Sequence, residues 1–305
     1  MSVSSIEFHQ KKAQDLPAER APLVRSDGRL TRRLKTLLGH LLYRTGLYRR
    51  FWRDQAVIVL FHRIDDRYGD DPITSTRDRF KAFCNFFSRY FTIVGLSDLL
   101  RLLREGADIS RHLVITFDDG YRDNREVAAE YLRERGMPAC FFVATGFIGT
   151  DETVWWDALR RIRSEWMTWD DVRALRDAGF EIGAHTVTHP DLGVIAGEDA
   201  RREIFGSKTR VEAELGAPVR HFAYPFGEAD QITEANRMLV RDAGLISCLS
   251  AHGGCVQPKD DPLRLHRVPV NNWYLSPYQL GFETLFRNPK AARPVMVPRP
   301  VTSAT

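Results

Sequence analysis

Long hydrophobic runs are missing from this chain of 305 residues. No apolar stretch approaches the roughly 18 residues that a helical membrane span needs, so no bilayer-crossing helix is expected. A secretory signal peptide would need an apolar core near the start. Residues 1–27 instead scatter Lys11, Lys12, Asp15, Glu19 and Arg20, and the expected compartment is the cytoplasm. Cysteine is scarce. Cys84, Cys140, Cys248 and Cys255 are far apart with no Cys-x-x-Cys pair, which argues against a disulfide framework or a zinc ribbon and fits reduced thiols. There is no phosphate-binding glycine loop and no nucleic-acid motif, so no nucleic-acid partner is expected.

One absence is local, because residues 30–53 contain no acid at all. They do contain Arg32, Arg33, Lys35, Arg44, Arg49, Arg50 and Arg53, in a chain whose net charge is only +4. Leu30, Leu34, Leu37, Leu38, Leu41 and Leu42 recur at helical spacing among these cations. An amphipathic helix of this kind suits an anionic membrane surface, here the inner face of the cell membrane, with Tyr48, Phe51 and Trp52 assisting. The plainer alternative is a helix packed on the rest of the protein with its charges in water.

What is present is the composition of a soluble globular protein, 43% hydrophobic and 28% charged, with length enough for one large core. Four parts follow: a flexible leader over 1–29, the basic helix over 30–53, a domain over 54–290 and a flexible tail over 291–305. Within the domain, strands and helices alternate. Strands are expected at Ala56–Phe61, Phe91–Val94, Leu113–Phe117, Ala139–Val143, Phe180–Ala184, His221–Tyr224, Leu245–Leu249 and Leu265–Val270. Between them, Arg77–Tyr90 sets Phe80, Phe83, Phe86 and Phe87 on one helical face; Ser97 is placed to cap the next helix. Further helices are expected over 124–135, 168–179, 198–215 and 233–243, several closed by glycine. About eight strands alternating with helices predict a parallel α/β fold, closed or nearly closed as a barrel.

In such a barrel the residues just after each strand share one mouth. Asp118 and Asp119 follow one strand, and His185 and His189 follow another. His62 follows the first, and Pro225-Phe226-Gly227 follows a later one. Either motif alone reads as turn chemistry or as solvated histidines. Together they offer a carboxylate oxygen, two imidazole nitrogens and a spare carboxylate. The four-residue histidine spacing fits a helical turn presenting both rings to one cation. Such a site leaves coordination positions open for a water and an acyl oxygen, and the spare carboxylate can take a proton. Trp155, Trp156 and Asp157 are candidates for a sugar-stacking platform, with one tryptophan in the core as the alternative.

These residues resemble the polysaccharide deacetylases, the NodB-homology or carbohydrate esterase family 4 enzymes. The resemblance rests on Thr116-Phe117-Asp118-Asp119-Gly120, on His185-Thr186-x-x-His189 and on Phe222-Ala223-Tyr224-Pro225-Phe226-Gly227, over about residues 57–270. It implies a distorted (β/α) barrel of seven to eight parallel strands, one divalent metal (zinc first, then cobalt, nickel, manganese or iron), and hydrolysis of N-acetyl groups from an amino sugar. By resemblance Asp118 is the general base, Asp119, His185 and His189 are the metal ligands, and the Phe226 N–H is the oxyanion donor. His62, Tyr121, Tyr224, Pro225 and Trp156 are candidates to contact an N-acetylated glycan. The family's third motif opens with an arginine that orients the base; here Ala223 stands there, as in a subgroup reading Ala-Tyr-Pro. Arg267 is the candidate replacement. For the general acid, His266 in Leu263-Arg264-Leu265-His266 and His62 both remain, since strand alternation admits His266 or Arg267 to the mouth and not both. A sugar-binding relic and a hydrolase of small non-sugar amides remain as other readings.

Overall fold

The structure, a computed structural model, describes residues 28–195 and 197–286. The tail over 291–305 and nearly all of the leader over 1–29 lie outside the described residues. Seven parallel strands form one curled sheet: β1 (Ala56–Phe61), β3 (His112–Phe117), β4 (Cys140–Val143), β5 (Glu181–Ala184), β6 (His221–Ala223), β7 (Ser247–Leu249) and β8 (Val268–Pro269). Their order is β8-β1-β3-β4-β5-β6-β7, and a short strand β2 (Thr92–Ile93) pairs with the start of β3. An isolated parallel bridge from Leu249 to Leu265 carries the chain back from β7 toward β8, so the sheet curls into a distorted, incomplete barrel.

Register is what matters for the site. β1 and β3 pair over their whole length, from Ala56 opposite His112 to Phe61 opposite Phe117. Phe117 in turn lies opposite Phe141, Val143 opposite Ala184, and Ala184 opposite Phe222. The strand ends are therefore level to within two residues, and whatever follows them gathers at one rim. All six residues of β1 are buried, as expected of a strand covered on both faces. The expected strand over 265–270 is shorter, Val268–Pro269, because the Leu265 and Arg267 N–H groups donate to the Cys248 and His252 carbonyls and not to β1.

Helix α2 (Arg77–Tyr90) is capped by Thr76 and buries Phe80, Phe83, Phe86 and Phe87. Phe80 meets the stacked pair Phe61 and Phe117 edge-on, with ring centroids 5.3 Å and 6.0 Å away. Helix α3 (Leu96–Glu105) starts two residues earlier than expected, with Gly95 at its cap in place of Ser97. Its first amides are met from β5 instead: the Glu181 carboxylate accepts from the Leu96 and Ser97 N–H groups at 2.6 Å and 2.9 Å. Helix α4 (Asn124–Glu134) opens with a π-helical stretch over Asn124–Ala129, and α5 (Trp169–Asp177) carries a Thr168–Asp171 capping box. Helices α6 (Gly197–Leu215) and α7 (Glu234–Asp242) complete the alternation. A further helix, α8 (Pro277–Leu285), was not expected; Ser276 caps it and Pro277 opens it.

The basic segment is not one helix. Helix α1 spans Arg29–Arg44, Gly46 breaks it at φ +80°, and a single turn follows at Tyr48–Phe51. It packs on the domain through Gly39, whose backbone lies against Tyr278, and through Tyr43, which is wedged among Phe86, Tyr90 and Tyr278. Tyr48 and Trp52 are buried as well, and the Trp52 indole donates to the Tyr43 hydroxyl at 2.8 Å. Those two aromatics belong to the core, which corrects their assignment to a membrane surface.

Candidate metal centre and active site

The apolar strand β3 ends at Phe117, and the next residues turn sharply. Asp119 takes φ +75° and Gly120 φ +93°, and a Cβ on Gly120 would collide with Ile148. The turn leaves Asp118 and Asp119 side by side, both buried.

The two histidines follow β5 in an irregular loop and not on the helical turn that their spacing suggested. Thr186 and His189 both adopt positive φ, 65° and 55°, and the His189 N–H donates to Thr186 Oγ1 at 3.1 Å. From α6, Glu203 holds the loop's outer side by accepting from Val187 N–H at 2.8 Å, from Thr188 N–H at 2.9 Å and from the Thr188 hydroxyl at 2.7 Å. Seven described non-glycine residues have positive φ, and Asp119, Thr186, His189 and Phe226 are four of them. Backbone strain thus collects where the side chains converge.

They converge closely. Asp119 Oδ1 lies 3.3 Å from Nε2 of His185 and 3.3 Å from Nε2 of His189. His185 Nδ1 lies 2.8 Å from the Ala223 carbonyl, an acceptor only, so Nδ1 carries the proton and Nε2 turns a lone pair toward Asp119. Asp119 Oδ1 is itself buried without a hydrogen-bond partner. A carboxylate oxygen facing an imidazole lone pair is repulsive unless a proton or a cation lies between them. The donor set, one carboxylate and two imidazoles within 4.8 Å of one another, fits a divalent metal.

Asp118 is held differently. Arg267, fully buried, donates to both of its oxygens at 2.8 Å and 2.7 Å, and its Nε donates to the Ser250 carbonyl at 2.5 Å. Burial raises the Asp118 pKa, but Arg267 first, then His185, outweigh it and hold the carboxyl below its usual range. Asp118 is therefore a buried, ionised carboxylate held beside Asp119 and His185. Ala223 leaves the third motif without its arginine, and Arg267 supplies the guanidinium from the segment leading into β8.

Since Arg267 faces in, His266 faces out: its ring packs on Gly253 and lies 5.5 Å from that of His252. Its charged neighbours are His252 and Asp260, and neither Asp118 nor Asp119 is among them. His62, half-buried, has Asp119, Asp118, Arg267 and His185 as its charged neighbours, and its imidazole makes no protein hydrogen bond among the described residues. Burial lowers its pKa against the pull of the two aspartates.

Trp156 is mostly buried, with its ring 4.7 Å from His189, while Trp155 is exposed and 6.5 Å from Phe226. Tyr121 is buried under Trp166, accepting from the Trp156 indole at 3.0 Å and donating to Asp157 at 3.2 Å. The Tyr224 hydroxyl lies 3.8 Å from the Cys248 thiol, and Pro225 is buried. These three are buried in the wall of the site. Phe226 lies at the rim with φ +58°, its ring 4.7 Å from His189 and its N–H without a protein acceptor among the described residues. The sequence reading missed Arg63, which clamps Asp157 with two 2.6 Å hydrogen bonds and so fixes the Trp156 segment over His189. It also missed Glu203. Arg63 follows His62 directly and was detectable as a charge at a strand end; nothing local singled out Glu203.

A sequence model of the family described as polysaccharide deacetylase matches residues 105–245, the stretch that carries both aspartates, both histidines and the Ala223–Gly227 turn. Over that stretch the chain is similar to the polysaccharide deacetylases, hydrolases of carbon–nitrogen bonds. YxkH of Bacillus subtilis, whose name assigns it provisionally to the polysaccharide deacetylases, is 22% identical over 216 residues, covering 70% of this chain and 71% of that one. A chitooligosaccharide deacetylase of Sinorhizobium fredii is 29% identical over 133 residues, 43% of this chain; the match spans only 54% of that protein. Among solved structures, the Streptococcus pyogenes deacetylase PplD in complex with acetate superposes with a TM-score of 0.62 at 18% identity, over 76% of this chain and 98% of that one. IcaB from Ammonifex degensii gives 0.61 at 19% identity, over 74% and 97%. At such identities these two structures speak for the fold, and the family's distorted barrel is the fold seen here.

Proposed function

We propose that this protein is a metal-dependent N-deacetylase acting on an acetylated amino sugar within a glycan or a lipid-linked glycan precursor. The observation that carries the reading is the meeting of Asp119 Oδ1 with two imidazole Nε2 atoms at 3.3 Å, beside an Asp118 gripped by Arg267. Asp119, His185 and His189 would hold the ion, which when bound supplies Lewis-acid polarisation of the acetyl carbonyl and activation of a water. Zinc is the first candidate; cobalt, nickel, manganese and iron suit the same ligands.

The chain's own residues supply the rest. Asp118, kept ionised by Arg267, accepts the attacking water's proton. The Phe226 N–H, having no protein acceptor, donates to the oxygen that gains charge in the transition state, a contribution of about 3 to 4 kcal/mol where such donors have been removed. His62 faces the same charges and is the group that can return a proton to the leaving amine. Trp156 covers His189 and limits water, while Trp155 and Phe226 offer rim aromatic surface for a sugar face. A binding-only relic is opposed by Arg267, which takes over the duty of the arginine that the third motif lacks.

The test is acetate release from N-acetylglucosamine oligomers and from lipid-linked acetylated sugars, after chelation and with each metal added back singly. Release that stops on chelation and returns with one metal is expected. Full activity in the stripped protein refutes the reading, and cleavage confined to small non-sugar amides would redirect the substrate class.

A further inference from the structure

Helix α1 buries the wrong face for its leucines. Gly39 and Tyr43 are the residues turned into the domain, and Lys35 on the same side pairs with Glu283 at 3.4 Å. Leu30, Leu34, Leu37, Leu38 and Leu41, spaced to share one face of a helix, are all at least 40% exposed. By helical geometry this stripe lies opposite the buried Gly39–Tyr43 face. The fold of the domain therefore does not account for it.

Its surroundings say what would cover it. Arg29, Arg33 and Arg44 are exposed and fall along one border of the stripe, and Arg49, Arg50 and Arg53 are exposed just after the Gly46 break. No acidic residue occurs from Gly28 to Arg53. Pairing two copies of α1 through the leucines would bring these uncompensated guanidinium groups together, which disfavours a second copy as the occupant. Nucleic acid would meet leucines where it needs cations. A surface of acyl chains beneath anionic headgroups meets both halves of the pattern. No helix among the described residues is long and apolar enough to cross a membrane, so the geometry is that of a helix lying in the interface.

We propose that α1 is a membrane-docking helix, which inserts its Leu30–Leu41 stripe into an anionic lipid surface and sets its bordering arginines against the lipid phosphates. The start of α1 also reaches the barrel mouth. The Arg32 guanidinium stacks 4.4 Å from the ring of Trp273, just beyond β8, and donates to its carbonyl. Docking through α1 thus anchors the protein by a helix whose end is tied to the rim of the site. The proposal is independent of the deacetylase reading, because its readout is lipid binding alone.

The experiment is flotation of the full chain with vesicles of pure phosphatidylcholine and with vesicles that also contain phosphatidylglycerol. Flotation with the anionic vesicles and not with the neutral ones, weakening as salt rises, is the expected result. The variant Leu34→Gln/Leu41→Gln should abolish flotation, and Arg29→Gln/Arg33→Gln/Arg44→Gln should reduce partitioning about a hundredfold at low salt. All five positions are exposed, so both variants should melt with the wild type, and unaltered melting is required for the comparison. Absence of flotation by the wild type overturns the proposal. So does flotation that both variants retain, equal flotation on neutral vesicles, or a dimer of the wild type that the leucine variant loses.

Discussion

Replacing Arg267 by methionine tests the site at its least familiar point. The side chain is fully buried and donates twice to Asp118, with a further 2.5 Å hydrogen bond to the Ser250 carbonyl. Methionine fills similar length and removes the charge, leaving a buried carboxylate unpaired, a loss of about 3 to 5 kcal/mol in comparable buried pairs. Part of that loss is relieved if Asp118 takes up a proton. Burial already pushes its pKa up, and Arg267 is the foremost group pulling it down, so without Arg267 the carboxyl must titrate higher. A protonated Asp118 cannot accept a proton from water, and losing a general base costs about 10²- to 10⁴-fold in rate. Two measurements follow. The acid limb of the kcat/KM profile for acetate release should move to higher pH in Arg267→Met, since less base is ionised at any given pH. In thermal unfolding, Asp118→Asn/Arg267→Met should be more stable than Arg267→Met alone, because the second change removes the orphaned charge. An unshifted acid limb together with simply additive stability losses would refute the idea that Arg267 acts through Asp118.

Three further expectations rest on separate contacts. Asp119→Asn should weaken zinc binding at least tenfold in equilibrium dialysis while the fold survives, since one of three ligands becomes neutral. His62→Ala should lower kcat for acetate release by about 10²-fold or more and His266→Ala by little, because only His62 faces the aspartates; the reverse order would point to His266 as the acid. Glu181 is raised by burial but held below the ordinary carboxylate range by His221 and Ser97, so its contribution is present at neutral pH and disappears as pH falls through that depressed value. Glu181→Gln should therefore cost about 1 kcal/mol in unfolding at pH 7 and much less in strong acid, where the wild-type group is protonated too.

Much of the fold could be read from local patterns. Ala56–Phe61 and Leu113–Phe117 are apolar runs that only a strand covered on both faces accommodates, and Phe80, Phe83, Phe86 and Phe87 are spaced for one helical face. Helix α8 escaped because it carries Gly281 and no clear polar alternation, and tertiary packing on α1 and α2 compensates for weak local preference. The cap of α3 escaped for a similar reason: its partner, Glu181, lies on another strand.

At the site the division is as plain. Residue type and position by themselves determined that Asp118, Asp119, His185 and His189 would end up together, because parallel strands in register deliver whatever follows them to one rim. Three matters were beyond any local pattern. Strand alternation allowed His266 or Arg267 to face inward, and the packing of that segment between Ser250 and Asp118 decided for Arg267. The histidine spacing suggested a helical turn, and the chain instead forms a loop with positive φ at Thr186 and His189, held by Glu203 from the next helix. The leucine periodicity of α1 showed an apolar stripe but not its direction, which was set when Gly39 offered the closer approach to Tyr278 and took the buried side. Each of these is a competition between long-range partners, and a chain's local preferences carry no term for a partner that is near only after folding.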